Sequence, residues 1–328
     1  MLCNQVKISK MHYLGYAVFA QAKRMLGLGS NRKFLVWKLI KLINDGLIDT
    51  NNISVTSIGR TDGVGAQAIA KFTAMCFAEA YNAKYVHAPF ESLAHAELSP
   101  ELWTESWERL LNMSIGGVLL DEKKMQVVKL ETYLEDPTLW TKKVVIADLH
   151  FHAFCELEPT LGSEVSKKLR SAINVNQLPD SASNEFVIGV HVRRGDVRKG
   201  DRETGHRFTE NKHVISVLEQ VLEVVSGLGY NPKIHLHTNG TAQELEGFSK
   251  LSDITYHAGK PALETFISLV KSNVLISARS DFSMLAGIYC KGIVICDPSH
   301  RTPLREWIKA GPNCTDIGQQ LKLRGCTS

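Results

Sequence analysis

An α/β fold with parallel sheets is predicted for this chain of 328 residues, because short apolar runs alternate with helical stretches. Apolar runs without polar alternation are typical of parallel strands that are buried on both faces. The alternation occurs on both sides of a polar loop at residues 177–184. We therefore predict two Rossmann-like domains, residues 1–180 and 181–328, with a ligand-binding cleft between them. A hydrophobic content of 44% is enough for a core and excludes a disordered chain.

The first half opens on a helix predicted at residues 34–43, where Lys38 and Lys41 share one face. Packing of this helix on a core is the favoured interpretation, and a basic face resting on an anionic membrane is the alternative. A long helix follows at 66–83 and another at 163–173. The predicted strands of this half are 53–59, 84–88, 117–120, 126–130 and 144–149.

The second half shows the same alternation more clearly. Its predicted strands are 186–192, 233–237, 254–257, 273–277 and 292–296. Its predicted helices are 213–228, 243–251, 262–270 and 282–289. Loops that follow parallel strands meet at one edge of the sheet, so ligand-binding residues are expected there.

The formal net charge of +4 is unevenly distributed. Residues 1–50 hold eight basic and two acidic side chains, which makes this segment +6 and the remainder of the chain −2. A nucleic-acid surface is disfavoured because the rest of the chain lacks basic excess. The basic segment predicts either peripheral contact with an anionic membrane or a solvated face.

The seven cysteines are scattered and form no C-x-x-C pair, which disfavours a disulfide framework and a structural zinc site. The best apolar run near the N-terminus, residues 13–20, is too short to span a bilayer. A cytoplasmic location is therefore expected, with membrane association through the basic segment as a variant.

The strongest local signal is the strand at 186–192 that runs directly into Arg193, Arg194, Gly195 and Asp196. A guanidinium group presents a rigid fork of donors that matches phosphate oxygens, and Asp196 is placed to hold one of these forks. A solvated basic turn is the alternative interpretation.

Two further polar loops follow predicted strands. The segment around Ser280, Asp281 and Ser283 leads into a helix, whose N-terminus favours an anion, although a simple N-cap explains the same residues. Thr238 and Asn239 form the other loop. Three such loops in one domain predict a pocket for a nucleotide diphosphate.

The His191-Val-Arg-Arg-Gly-Asp196 segment, with Ser280-Asp-Phe-Ser283 downstream, resembles the paired motifs of fucosyltransferases that use GDP-fucose. These include the alpha-1,2 and alpha-1,6 classes and the protein O-fucosyltransferases. The resemblance implies that Arg193 contacts the GDP diphosphate and is needed for activity. The resemblance also implies that Ser280, Phe282 and Ser283 help to bind the donor. The loops and the resemblance together predict the donor-binding set His191, Arg193, Arg194, Asp196, Thr238, Asn239, Ser280, Asp281, Phe282 and Ser283.

A second resemblance lies nearer the N-terminus. The segment Asp62-Gly63-Val-Gly65-Ala66-Gln67 resembles the Gly-x-Gly-Asn-Gln loop of the same enzymes, with Ala66 where asparagine is usual. The resemblance assigns Gly63, Gly65 and Gln67 to the acceptor side. Asp62 is the candidate base that activates the acceptor.

Together the motifs imply a GT-B-like enzyme that transfers fucose from GDP-fucose to a glycan or other hydroxyl acceptor, with inversion and without a metal or other cofactor. One alternative is a glycosyltransferase for another nucleotide sugar. A second is a metal-dependent hydrolase that uses alternating histidines: Asp148 with His150 and His152, and His235 with His237. A third is a non-catalytic protein that has kept a nucleotide-sugar fold.

Overall fold

A computed structural model describes residues 32–148, 159–174, 185–311 and 317–324, and it divides the chain into two compact units. The first unit falls within Met1–Asp62, Gln67–Ser92 and Met113–Val165. The second falls within Gly63–Ala66, Leu93–Asn112 and Ser166–Ser328. Most of the basic N-terminal segment, residues 1–31, and the loop at 177–184 lie outside the described residues.

The first unit is built on a five-stranded parallel sheet with the order β3-β2-β1-β5-β4. All five predicted strands are confirmed, although each is shorter than the apolar run that predicts it. β1 ends well before Gly59, whose φ of 72° turns the chain away. The strands are β1 (Ile53–Val55), β2 (Lys84–His87), β3 (Val118–Leu119), β4 (Val127–Val128) and β5 (Val144–Ile146).

Four α-helices lie between residues 32 and 135. The predicted helix at 34–43 is α1, and its apolar face is buried at Val36, Leu39 and Ile40, as expected of a helix packed on a core. α2 follows β1 directly and buries Phe72 and Phe77. The helices are α1 (Arg32–Asn44), α2 (Val64–Tyr81), α3 (Pro100–Leu111) and α4 (Leu130–Glu135).

α3 is absent from the sequence-based prediction, although the local signals for it are present. Ser99 is its N-cap, Pro100 occupies the first turn, and Asn112 ends the helix with a left-handed φ of 46°. Its buried face carries Trp103 and Trp107. The helix predicted at 163–173 is confirmed as α5 (Pro159–Ala172).

The second unit contains a six-stranded parallel sheet with the order β11-β10-β9-β6-β7-β8. The prediction of an α/β fold with two parallel sheets is therefore confirmed. The five predicted strands are present, and β11 is an addition at the edge. The strands are β6 (Val187–Val192), β7 (Lys233–Thr238), β8 (Ile254–Ala258), β9 (Val274–Ile276), β10 (Ile293–Cys296) and β11 (Ile308–Lys309).

Helices cover both faces of this sheet. They are α6 (Asn211–Gly227), α7 (Ala262–Val270), α8 (Asp281–Tyr289) and α9 (Ile317–Arg324). One face packs Val190 and Leu236 against Val217 and Val221 of α6 and Leu321 of α9. On the other face, a Cβ added at Gly189 would meet Leu269 of α7 at 3.6 Å.

The helix predicted at 243–251 is wrong. Two short 3-10 turns, Gln243–Leu245 and Phe248–Lys250, occupy this stretch. Gly247 separates them with a φ of 96°, which a continuous α-helix does not allow. Among the residues that the structure describes, no helix is long and apolar enough to cross a bilayer.

Candidate functional site

The three polar loops predicted to form one site meet at the carboxyl edge of the second sheet. They follow β9, β6 and β7, which are direct neighbours. His191 on β6 is hydrogen-bonded through Nδ1 to the hydroxyl of Ser283 on α8. On the other side, the backbone N–H of Arg194 donates to Oδ1 of Asn239 at 2.9 Å. The loops are therefore tied to one another by side chains that the sequence analysis selected.

Arg193 is the partly exposed cation of this edge. Its Nε and Nη2 donate to the two carboxylate oxygens of Asp196 at 2.9 and 2.7 Å, which is a bidentate pair. The hydrogen bond from Arg193 lowers the pKa of Asp196, so the carboxylate is ionised at neutral pH. Nη1 of Arg193 has no hydrogen-bond partner among the described residues. The pair thus fixes the guanidinium and leaves one edge of it available to a ligand.

Arg194 is instead buried, with 2% of its surface exposed. Its guanidinium donates to the carbonyl of Arg193 at 2.7 Å, to the carbonyl of Thr209 at 2.9 Å and to the side chain of Asn211. It also lies 4.3 Å from the ring centre of Phe208. These contacts join the loop after β6 to the chain that leads into α6.

Glycines allow the loops after β6 and β7 to approach closely. Gly195 has a φ of 72°, and a Cβ there would lie 2.7 Å from the amide nitrogen of Asn239. A Cβ on Gly240 would lie 2.7 Å from the Cβ of Arg194. Thr238 completes the turn, because its hydroxyl accepts the N–H of Gly240 at 2.9 Å.

The loop after β9 ends at the N-terminus of α8. Ser280 is the N-cap, and its hydroxyl accepts the N–H of Phe282 at 3.2 Å. Asp281 in the first turn is bound by Arg301 at 2.8 and 2.9 Å and by His300 at 3.2 Å. Burial alone would raise the pKa of Asp281, but the hydrogen bonds from His300 and Arg301 hold it below its ordinary value. The helix end therefore carries a fixed, charge-compensated carboxylate.

His191 is buried, and desolvation, followed by the charge of Arg193, lowers its pKa to about 3. The imidazole is neutral at neutral pH as a result. It adds no charge to the edge and serves instead as a hydrogen-bonding link between β6 and Ser283 of α8. Ser283 is fully buried and also accepts the N–H of Ala278 at 3.1 Å, so it holds the loop after β9 in place.

Several charged side chains that support this edge carry no role in the sequence analysis. Arg279 binds Asp297 through Nε and Nη2 at 2.8 and 2.6 Å, and it also donates to the carbonyl of Phe208 at 3.1 Å. Arg301 and His300 act on Asp281 from the chain after β10. The sequence does not predict these contacts, because the partners are distant in the chain and come together only when it folds.

The glycine-rich segment that opens α2 contributes to this same unit. The backbone of Gly65 lies against the N-terminus of α8: a Cβ at position 65 would be 2.5 Å from the backbone nitrogen of Phe282 and 2.6 Å from the carbonyl carbon of Asp281. Gly63 has more space, since the nearest atom to its Cβ position is Cδ2 of His95 at 3.8 Å. Gly65 is therefore required by close backbone contact within the second unit.

We expect Gly65→Ala to destabilise the protein. In an open helix this change is stabilising by about 1 kcal/mol, but here the added methyl group overlaps backbone atoms that cannot rotate away. The expected net result is a loss of about 1 kcal/mol or more in the free energy of unfolding, measured by urea titration. Gly63→Ala is the matched control and should change stability by less than about 0.5 kcal/mol. Equal stability of the two variants would contradict the close contact.

Of the predicted acceptor-side residues, Gln67 belongs to the first unit together with Asp62, whereas Gly63 and Gly65 belong to the second. The amide of Gln67 donates to the carbonyls of Asp62 and Ser92 at 2.7 and 2.8 Å. The carboxylate of Asp62 binds the guanidinium of Arg60 and is 42% exposed. A small pocket is lined by Ser57, Ile58, Gly59, Arg60, Gln67, Lys71, Pro89 and Glu91.

The histidine constellation of the alternative prediction is only partly described. His150 and His152 lie outside the described residues. Asp148 accepts the backbone N–H of Leu130 at 2.7 Å, so its carboxylate has a structural hydrogen bond. His235 and His237 do share one face of β7, and His257 of the neighbouring strand β8 joins them there.

No protein-family model and no curated protein matches the chain. Among solved structures, the alpha-1,6-fucosyltransferase NodZ soaked with GDP-fucose is 14% identical, with a TM-score of 0.44 over 76% of this chain and 97% of that chain. POFUT1 in complex with GDP is 12% identical, with a TM-score of 0.37 over 81% and 100% of the two chains. The iron-containing heptosyltransferase TibC with ADP-D-beta-D-heptose is 10% identical, with a TM-score of 0.40 over 81% and 64%. At such low identities and TM-scores these similarities assign neither a family nor a substrate to this chain.

Proposed function

We propose that this protein is a glycosyltransferase that moves fucose from GDP-fucose to a hydroxyl group of a glycan acceptor, with inversion at the anomeric carbon and without a metal. The observation that carries the proposal is the position of Arg193. Its guanidinium is held by Asp196 at the carboxyl edge of a parallel sheet, and Nη1 has no hydrogen-bond partner within the described part of the chain. The neighbouring loop, after β9, leads into the N-terminus of α8. The motif resemblance in the same residues supplies the donor class.

The chemistry of the leaving group explains why these side chains suit the reaction. Breaking the bond between the sugar and the phosphate develops negative charge on the terminal phosphate of GDP. A guanidinium that is already fixed stabilises this charge without reorganisation of water. The N-terminus of α8 adds partial positive charge, because the peptide dipoles of a helix point that way. A divalent cation would duplicate this stabilisation.

The remaining residues of the predicted donor site act mainly by holding these groups. Arg194 is a positioning residue, because its buried guanidinium binds protein carbonyls and Asn211. This geometry favours indirect support over the direct donor contact that the resemblance implies. His191 and Ser283 fix the start of α8 against β6. Phe282 and the loop at Thr238 and Asn239 remain proposed contacts of the donor.

Acceptor activation is assigned to the first unit. We propose Asp62 as the general base, since it is an exposed carboxylate beside the glycine-rich loop. Its pairing with Arg60 fixes the carboxylate but also occupies both oxygens that would accept the proton of the acceptor. Arg60 would therefore need to release Asp62 when the acceptor binds. Gln67 and Lys71 are buried beside it and donate to backbone carbonyls, so they hold this part of the first unit in place.

The proposed function is tested by thermal unfolding of the purified protein with sugar nucleotides in the presence of EDTA. GDP-fucose and GDP should each raise the melting temperature, whereas UDP and UDP-sugars should not. A ligand at about 100 times its dissociation constant stabilises by about 2.7 kcal/mol, which is a shift of a few degrees. A rise in melting temperature with GDP-mannose but not with GDP-fucose would favour another donor sugar. No shift with any guanine nucleotide would contradict the proposal.

A further inference from the structure

Three histidines form a cluster on the second sheet that the proposed transfer reaction does not use. His235 and His237 alternate along β7, and His257 lies directly opposite His237 on the edge strand β8. One ring nitrogen of each lies within 4.8 Å of those of the other two. The rings of His237 and His257 are stacked, with centroids 4.5 Å apart. These three residues are the histidine cluster.

Two nitrogens of the histidine cluster are buried and have no hydrogen-bond partner among the residues that the structure describes: Nδ1 of His237 and Nε2 of His257. His237 itself is only 2% exposed. A buried polar atom without a partner costs about 1–3 kcal/mol, so native proteins normally satisfy such atoms with protein, water or an ion. The two atoms lie in the same cluster, which points to one ligand that both can bind.

The other nitrogen of His237 is already oriented by the protein. Nε2 lies 2.8 Å from the hydroxyl of Ser268 on α7. A histidine that ligates a metal usually bonds its second ring nitrogen to a protein group, which fixes the ring and its tautomer. In the tautomer whose Nε2–H donates to Ser268, Nδ1 of His237 carries a lone pair that can bind an ion.

We propose that His235, His237 and His257 bind one divalent transition-metal ion of the zinc class. Imidazole nitrogens suit zinc, nickel and copper, and three of them leave one coordination position for water or another small ligand. Zinc–nitrogen bonds of about 2.0–2.1 Å require the nitrogens to lie about 3.3 Å apart. Binding an ion therefore requires the side chains to rotate from their present spacing, and the stacked rings of His237 and His257 must separate so that one nitrogen of each points at the ion.

The burial of the histidine cluster leaves it a route to solvent. His237 is buried, but part of the surfaces of His235 and His257 is exposed, which gives an ion access from the edge of the sheet.

An ion in the histidine cluster would join β7 to the edge strand β8. The loop that begins at Thr238 and Asn239 follows His237 directly, so the ion would stiffen one wall of the proposed donor site without taking part in bond breaking. The inference goes beyond the proposed function and does not depend on it. A metal-free transfer step and a bound structural ion are compatible.

The test uses the full-length protein after removal of metals with EDTA and buffer exchange. Calorimetric titration with zinc chloride should give one site per chain, and zinc should raise the melting temperature. Cobalt(II), as a spectroscopic substitute, should give visible absorption of a low-coordinate site with nitrogen ligands. Failure of the wild-type protein to bind zinc at micromolar concentration would overturn the proposal.

Variants locate the ion. His235→Gln and His257→Gln should each weaken zinc binding by at least about 10-fold, and Ser268→Ala should weaken it by a similar factor through loss of the oriented ring. His206→Gln, at an exposed histidine outside the cluster, is the control and should bind zinc normally. Unchanged zinc affinity in both cluster variants would overturn the assignment. The shift caused by GDP should persist in His257→Gln, which separates this test from that of the proposed function.

Discussion

Replacing Arg193 with alanine is expected to lower the turnover of fucosyl transfer by about 100-fold or more while the protein stays folded. Removal of one fixed donor that stabilises a developing negative charge typically costs a factor of 100 to 1,000. Arg193 is partly exposed and its main partner is the exposed Asp196, so its loss removes little from the core. The measurement is the rate of acceptor-dependent GDP release at saturating GDP-fucose, with circular dichroism to check the fold.

Two further variants sharpen this prediction. Arg198→Ala removes an exposed cation from the same loop and should leave turnover within about twofold, because the effect requires a fixed guanidinium and not merely local charge. Arg193→Lys should recover only part of the rate, since an ammonium group cannot bind Asp196 and a phosphate in the same planar geometry. Near-normal turnover of Arg193→Ala would show that the phosphate role is wrong.

Replacement of the neighbouring Arg194 with methionine is expected to act on stability instead. The change leaves the partly buried carbonyl of Thr209 and side-chain oxygen of Asn211 without the donor that Arg194 supplies, and it removes the contact with Phe208. A hydrogen bond from a charged donor contributes about 1.5–3 kcal/mol, so the free energy of unfolding should fall by about 3 kcal/mol. Urea unfolding followed by fluorescence measures this change.

The comparison of the two adjacent arginines makes the prediction specific. Arg193→Ala should lie within about 1 kcal/mol of the wild type in the same unfolding experiment, because its ion pair with Asp196 is partly exposed and therefore screened by water. Arg194→Met should lose several times more. If the order of the two stabilities were reversed, the assignment of Arg194 as the positioning residue and Arg193 as the ligand-facing one would be contradicted.

Much of the second sheet is predictable from sequence because its strands are uninterrupted apolar runs with polar residues immediately after them. The same pattern places Arg193, Asn239 and Ser283 at one edge, and the hydrogen bonds observed there agree with it. The strand pattern does not distinguish Arg193 from Arg194, however, and only the family resemblance selects Arg193. Their different environments arise from the partners that Thr209 and Asn211 supply from a later segment.

Long-range partners account for what the sequence analysis missed. The sequence predicts Asp281 as a site residue because it lies at a helix N-terminus. Its partners Arg301 and His300 come from the segment that follows β10, and no local signal connects them to it. The spacing of residues in the sequence does not show which strands are neighbours in the sheet. His257 is therefore recognised as the third member of the histidine cluster only from the register of β7 and β8. Gly65 is required by the backbone of Phe282, far along the chain.

The central claim, that the edge carrying Arg193 holds the diphosphate of a guanine nucleotide, is tested most directly by titrating the protein with GDP and with GMP in EDTA. GDP should bind at least about 10-fold more tightly than GMP, because only GDP presents the terminal phosphate to a charged hydrogen-bond donor worth about 1.5–3 kcal/mol. The difference should disappear in Arg193→Ala. Equal affinity of the wild type for GDP and GMP, or a difference that persists in the variant, would contradict the claim.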